Sequence, residues 1–242
     1  MNTVGQNVAV ALVCFLFGYL LGGIPNGVVI GRVFFKKDPR DYGSHNSGGT
    51  NMGRLFGKWI GVLVIGLDIS KCIVAFWSVW AVLRFSGLRE AVTLWDDGVF
   101  YNWLAPLGAG LGHCFSPYLR FKGGKAVACY MGMVGGTSWL GFILCWLSFM
   151  PLFLFKRIVS AASLISGGIL CLFEWLMFFL VRFAGVNGAI FQWDFGLVGG
   201  INYGWEGASV VTAIYVLMVI RHHANIKRLA NGEEKPLTWP SK

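Results

Sequence analysis

The chain has 242 residues, 56% of them hydrophobic and only 13% charged. A soluble domain carries about 25% charge, so this composition, with a mean hydropathy of +0.64, excludes an ordinary soluble fold and calls for lipid as solvent. The formal charge of +9 does not point to nucleic acid, because Lys and Arg fall in short clusters between apolar runs, as they do in membrane loops.

The N-terminus has no Lys or Arg before its first apolar run, which argues against a cleaved signal peptide and lets that end cross outward. Apolar runs over about 8–34, 59–84, 103–116, 158–184 and 207–221 predict spanning helices. The run 126–155 is broken at Gly135-Gly136-Thr137. At about 1.5 Å per residue it is long for one crossing and short for two full ones.

Charge decides that case. With the N-terminus outside and a hairpin broken near Gly135-Gly136, the clusters Lys36-Lys37-Arg40, Arg54-Lys58, Arg120-Lys122-Lys125, Lys156-Arg157 and the tail from Arg221 all fall inside. Only Arg84, Arg89 and Arg182 remain outside, with Arg32 and Lys71 within spans. A single crossing would send the basic tail outside, against the positive-inside rule. The expectation is an all-α polytopic membrane protein, one domain over 1–242, with seven transmembrane helices, N-terminus outside and C-terminus cytoplasmic. Segment 185–206, rich in Gly with Phe191, Trp193, Phe195, Tyr203 and Trp205, is then outside, where aromatics sit at headgroup level. The six cysteines lie in or beside apolar runs without a C-x-x-C. They predict small buried hydrophobes rather than disulfides or zinc ligands, and no metal or cofactor is expected.

The polar motifs follow in chain order. Loop 43–54, GSHNSGGTNMGR, sets Ser44, Asn46, Ser47, Thr50 and Asn51 among glycines and closes on Arg54. It is either a polar turn or a wrapping of neutral donors and one fixed charge about an oxyanion. Asp68 and Lys71 sit inside the second span, where a charge costs about 2.5–3.5 kcal/mol on insertion scales; their i,i+3 spacing favours mutual pairing. His113 precedes FKGGK, where Lys122 and Lys125 bracket Gly123-Gly124 ahead of a helix. Glycines there allow backbone N–H groups to close on an anion, beside the positive end of the helix, though the spacing is not that of a Walker loop and implies no ATP. Ser160 and Ser163 follow Lys156-Arg157; small hydroxyls in membrane helices commonly pack. Finally, in RHHANIKRLANGEE (221–234) a helix continuing inward would present His222 and Asn225 on one face. His45, His113, His222 and His223 are all the histidines of the chain, and every one falls in these inner-face motifs.

Taken together the motifs resemble the bacterial acyl-phosphate:glycerol-3-phosphate acyltransferase (PlsY) family. They are GYLLGGIPNG in the first span, GS-x-N…TN-x-x-R at 43–54, LD-x-x-K at Asp68 and Lys71, GH-x-F…FKGGK at 112–125, S-x-x-S at 160–163 and RH-x-x-NI-x-RL…GEE at 221–234. The chain departs from that pattern at His45, Cys72 and Ala126, where the family usually has glycine.

The resemblance implies acyl transfer from acyl phosphate to the 1-hydroxyl of sn-glycerol 3-phosphate. The products are lysophosphatidic acid and inorganic phosphate, the first step of bacterial phospholipid synthesis at the cytoplasmic (inner) membrane. Neither acyl-CoA nor acyl carrier protein is the direct donor. It implies catalytic roles for Ser44, Arg54, His222 and Asn225 and substrate binding by Lys122, Gly123, Gly124 and Lys125; from the residues themselves we expect Ser160 to join the catalytic set and Asn46, Thr50, Asn51 and His113 the substrate-binding one. Asp68, Lys71 and Glu234 are expected to be structural. The residues suit this chemistry: a mixed anhydride needs no enzyme nucleophile, only orientation, charge neutralisation and proton removal. The rival from another class is a transporter of a phosphorylated solute, against which stands the scarcity of ionisable residues at mid-bilayer.

Overall fold

In the computed structural model the described residues are 4–88, 92, 99–193 and 203–239. They are helical throughout apart from short turns, loops and one isolated bridge between Ser138 and Gln192. We label the helices α1 (Val4–Gly23), α2 (Asn26–Phe35), α3 (Gly49–Phe56), α4 (Lys58–Phe85), α5 (Val99–Cys114), α6 (Val127–Thr137), α7 (Trp139–Lys156), α8 (Val159–Phe183), α9 (Trp205–Arg221) and α10 (His223–Ala230).

The closest helix pair is built from small residues. Gly18 and Gly22 of α1 face Ala105 and Ala109 of α5, and Gly108 and Gly112 of α5 face the α1 backbone at Phe15 and Tyr19. A Cβ built at Gly22 would lie 2.1 Å from the Ala109 carbonyl oxygen. Each side therefore carries a small-xxx-small stripe, the device by which helices associate in lipid without a hydrophobic driving force. The matched order of contacts makes the two helices parallel.

The expected uninterrupted first span, 8–34, is broken. Pro25 has no N–H to give and its ring excludes the preceding helical carbonyl, so α1 ends at Gly23 and α2 begins at Asn26. Lys71 fills the break: its Nζ donates to the carbonyls of Gly22 (3.1 Å) and Ile24 and lies 2.9 Å from Asp68 Oδ1. Asn26 Nδ2 donates to the same carboxylate oxygen at 3.1 Å. Asp68 and Lys71 are 4% and 5% exposed. An ion pair this deep is tolerated when further hydrogen bonds satisfy it, here from Asn26 and to the carbonyls at the end of α1 and in the break.

Residues 126–155 do form a hairpin, with the break at Ser138 rather than at Gly135-Gly136. Ser138 caps α7 by accepting from Gly141 N at 3.0 Å. Segment 185–206 acquires a role in its described part, since it is stitched onto the hairpin tip. Ser138 Oγ donates to the Phe191 carbonyl (2.7 Å), Trp139 Nε1 to that of Ile190 (2.8 Å) and Trp193 Nε1 to that of Gly135 (2.8 Å). Phe195 falls outside the described residues.

Among the described residues four helical stretches are long and apolar enough to cross a membrane: Val4–Phe35 taken as one, α4, α7 and α8. A fifth arises if α9 and α10 are one span bent by 60°. α5 has 16 residues and α6 has 11, so neither reaches that length alone.

Candidate active site

Loop 43–54 is organised by a single amide. Asn51 is 1% exposed; its Nδ2 donates to the carbonyls of Pro39 (2.7 Å), Tyr42 (3.2 Å) and Asn46 (2.9 Å), and its Oδ1 accepts from Ser44 N (3.0 Å). Both N–H groups of the Asn51 amide and one lone pair of its oxygen are thus used within 39–46, so its amide is turned inward to shape the site. Asn46 Oδ1 accepts from Gly48 N at 3.0 Å. Asp38 pins the loop's entry through Arg32 and Arg40, each 2.8 Å away; the Arg40 hydrogen bond above all holds its carboxyl at about 2. His45 takes a left-handed backbone (φ 54) with Nδ1 at 3.0 Å from the Arg40 carbonyl. That is the conformation for which glycine is the least strained residue.

α3 rests on α4 through glycines: a Cβ at Gly49 would meet Ile65 and the Gly61 carbonyl, and one at Gly61 would meet Gly53. Arg54, next on α3, is half-buried and makes no hydrogen bond or ion pair among the described residues. Ser44 is exposed and Thr50 sits in the first turn of α3.

The FKGGK loop differs from the expected N–H cradle. Gly123 N donates to the Cys114 carbonyl (3.0 Å) and Gly124 N to that of His113 (2.9 Å), so neither amide is free for an anion. Their carbonyls accept from Arg221, Nη2 to Gly123 at 2.9 Å and Nε to Gly124 at 3.1 Å. The glycines serve close approach instead: a Cβ at Gly123 would lie 2.1 Å from the His113 carbonyl oxygen and one at Gly124 2.1 Å from His113 Nε2. His113 is accordingly underneath the loop, 3.9 Å from Asp68 through Nδ1, and not on its open side. Lys122 is exposed. Ala126 closes the loop in the left-handed region (φ 62) as the cap of α6, so the positive end of that helix starts beside Lys125.

Lys125 leads to the hub of the site. Its Nζ donates to Asn225 Oδ1 at 2.6 Å, and Asn225 Nδ2 donates to Glu234 Oε1 at 2.6 Å. Ser160 Oγ donates to the same oxygen at 2.8 Å, and Arg228 Nε to Oε2 at 2.6 Å. Burial would raise the Glu234 carboxyl, but hydrogen bonds from Asn225, Ser160 and Arg228 hold it below the ordinary range. Lys125 is pushed down, first by burial and then by the positive charges of Arg228, Arg221 and Arg54, with Glu234 opposing. The site therefore holds an excess of cation, the condition for taking up a multiply charged anion. Ser163 donates to the carbonyl of Val159 (2.7 Å) and is not part of the hub.

A helix running straight on from α9 is not what carries His222 and Asn225, because the chain bends by 60° between α9 and α10. His222 occupies the bend, 3% exposed, with Nδ1 at 2.8 Å from the Met218 carbonyl. A carbonyl only accepts, so Nδ1 carries the hydrogen and Nε2 presents a lone pair. Burial first, then Lys125, lowers its pKa to about 4 against the opposing Met218 bond and Glu234. His222 is thus a neutral hydrogen-bond acceptor at neutral pH.

Asn26, Arg221 and Arg228 stand as fixed positions of the motifs GYLLGGIPNG and RH-x-x-NI-x-RL, but sequence reasoning gives none of the three a role in the site.

Chain comparison agrees with this architecture. The family model described as glycerol-3-phosphate acyltransferase matches residues 12–232. The chain belongs to the glycerol-3-phosphate acyltransferase family. It is 37% identical over 230 residues to the glycerol-3-phosphate acyltransferase of Staphylococcus haemolyticus, covering 94% of this chain and 98% of that protein. To the enzyme of the same name from Staphylococcus saprophyticus it is 34% identical over 229 residues, with the same coverage. Among solved structures it resembles PlsY (YgiH), an integral membrane glycerol 3-phosphate acyltransferase, in its glycerol 3-phosphate form: TM-score 0.73, 31% identity, 94% of this chain and 96% of that one. The lysophosphatidic acid form gives a TM-score of 0.70 at 31% identity, over 93% and 94%. The family membership and the apolar helices together make this a multi-pass membrane protein.

Proposed function

We propose that the chain transfers a fatty acyl group from acyl phosphate to the 1-hydroxyl of sn-glycerol 3-phosphate, releasing lysophosphatidic acid and inorganic phosphate. The observation that carries this reading is the cationic hub, in which Lys125 and Arg228 are bonded into the Asn225–Glu234–Ser160 network and the charges of Arg221 and Arg54 act on Lys125. Both substrates carry phosphate, and a surplus of fixed charge is what two phosphates in one site require. Arg54 and Lys125 neutralise phosphate, and Ser44 and Thr50 offer small donors at the edge of α3. The hydroxyl oxygen attacks the acyl carbonyl carbon, the bond from that carbon to the phosphate oxygen breaks, and phosphate leaves with the electron pair. The hydroxyl proton passes to a phosphate oxygen while His222 Nε2 orients the hydroxyl. Ser160, already donating to Glu234, acts through that carboxylate.

Purified protein given palmitoyl phosphate and glycerol 3-phosphate should form lysophosphatidic acid, and palmitoyl-CoA in its place should yield none. Product from palmitoyl-CoA alone would overturn the donor assignment. Flux of glycerol 3-phosphate into liposomes without product would favour the transporter instead.

The same reading places the site on the cytoplasmic face of a bacterial inner membrane, with seven crossings. The parallel run of α1 and α5 supports the count over that stretch, since one crossing, α4, lies between them. Cysteines introduced at Lys37, Arg120, Arg157 and Lys227, after removal of the native ones, should react only with reagent reaching the cytoplasm. Labelling at 157 from outside would undo the hairpin topology and the inner-face site with it.

A further inference from the structure

The family match ends at residue 232, but the chain goes on across the site. Residues 233–239 have no regular secondary structure and form a strap. Glu234 ties its start to Ser160, Asn225 and Arg228. Leu237 is buried, and its N–H donates to the Arg157 carbonyl at 2.7 Å. The strap ends with the Trp239 indole lying on Gly53 of α3, where a Cβ would fall 2.5 Å from Nε1 and 2.6 Å from Cε2. Gly53 is thereby held between this ring and Gly61 of α4.

The indole Nε1 is shielded from solvent and has no partner among the described residues, so ring packing and not a hydrogen bond fixes the contact. One residue further on is Arg54, whose guanidinium has no hydrogen bond or ion pair among the described residues to hold it and whose positive charge helps to push Lys125 down. Gly53 sits in an eight-residue helix that leaves α4 across a glycine hinge, Gly57 at φ 100. Phe56 of this helix stacks on Phe35 at 4.2 Å and Met52 is buried, and at Gly53 the Trp239 ring closes over it.

We propose that Trp239 is a positioning residue: through Gly53 the C-terminal strap fixes the place of Arg54, joining the 43–54 loop to the Asn225–Glu234 hub. The proposal rests on the assignment of Arg54 to phosphate but not on the identity of the acyl donor. Its test is binding of inorganic phosphate to the purified full-length protein, followed by steady-state kinetics. Trp239→Ala should weaken phosphate binding by about tenfold, the scale of one mispositioned charged contact, and Trp239→Phe, which keeps the ring, should stay within about twofold. In kinetics Trp239→Ala should raise the KM of the same phosphate substrate that Arg54→Lys affects, with kcat changed much less. Gly53→Ala, whose Cβ displaces the ring, should give that signature too and covers the case in which Trp239→Ala does not fold. Phosphate binding unchanged in a folded Trp239→Ala or Gly53→Ala protein, or failure of Phe to restore it, overturns the proposal. A wild-type protein that binds phosphate but forms no lysophosphatidic acid would count against the acyl-phosphate reaction alone.

Discussion

Gly123→Ala should raise the KM for glycerol 3-phosphate by about 100-fold while kcat falls by less than about tenfold, since a displacement near 1 Å in a positioning element costs that much. The added Cβ would lie 2.1 Å from the His113 carbonyl oxygen and 2.9 Å from the Cys114 carbonyl. Both are backbone at the end of α5 and cannot rotate away. The loop must lift, and the Lys125 ammonium leaves Asn225 with it. Gly124→Ala should be milder, because its Cβ meets the His113 imidazole, a side chain that can give. Combining Gly124→Ala with His113→Ala should then restore part of the loss, as contacting residues couple in a double-mutant cycle. Steady-state kinetics on the three variants decides the point. An unchanged KM with a collapsed kcat would move this loop from binding to chemistry.

The second large effect concerns the proton. A general base at His222 predicts an acidic limb in kcat near its own pKa of about 4, and loss of roughly 100-fold or more in kcat on substitution, the usual scale for acid–base catalysis. The geometry favours an orienting acceptor, with Nδ1–H given to Met218 and Nε2 left with a lone pair. A base of such low pKa draws a hydroxyl proton weakly, and phosphate with a second pKa of about 6 is the stronger acceptor at hand. The sign follows: activity falls as the pH drops through about 6, as phosphate protonates, while His222 stays neutral throughout that range. His222→Gln keeps an accepting oxygen, so the limb near 6 should persist and kcat should fall by less than about tenfold. A wild-type limb near 4 that disappears in a folded Gln variant, together with the rate, would return the proton to the histidine.

Local features are legible in the sequence by itself. Apolar run lengths, the basic clusters and the i,i+3 spacing of Asp68 and Lys71 depend only on neighbours along the chain, and so do the motif signatures of the family. The charge pattern also argues for two helices in 126–155 under the positive-inside rule, and two helices joined at Ser138 are what the structure has there.

Tertiary structure decided where each polar atom finds its partner. Lys125 and Asn225 are 100 residues apart and Ser160 and Glu234 are 74 apart, distances at which no periodicity carries information. Asn51 reads as a ligand contact in a polar loop, yet the fold turns its amide inward onto three carbonyls. The glycine pair reads as an anion cradle, yet α5 ends close enough to take both N–H groups. In each case the residue type is set by sequence, but a buried donor must pair with whatever the packed helices bring beside it. Pro25 shows both sides of the division: the helix break belongs to its chemistry, and the Lys71 ammonium that fills the break belongs to the fold.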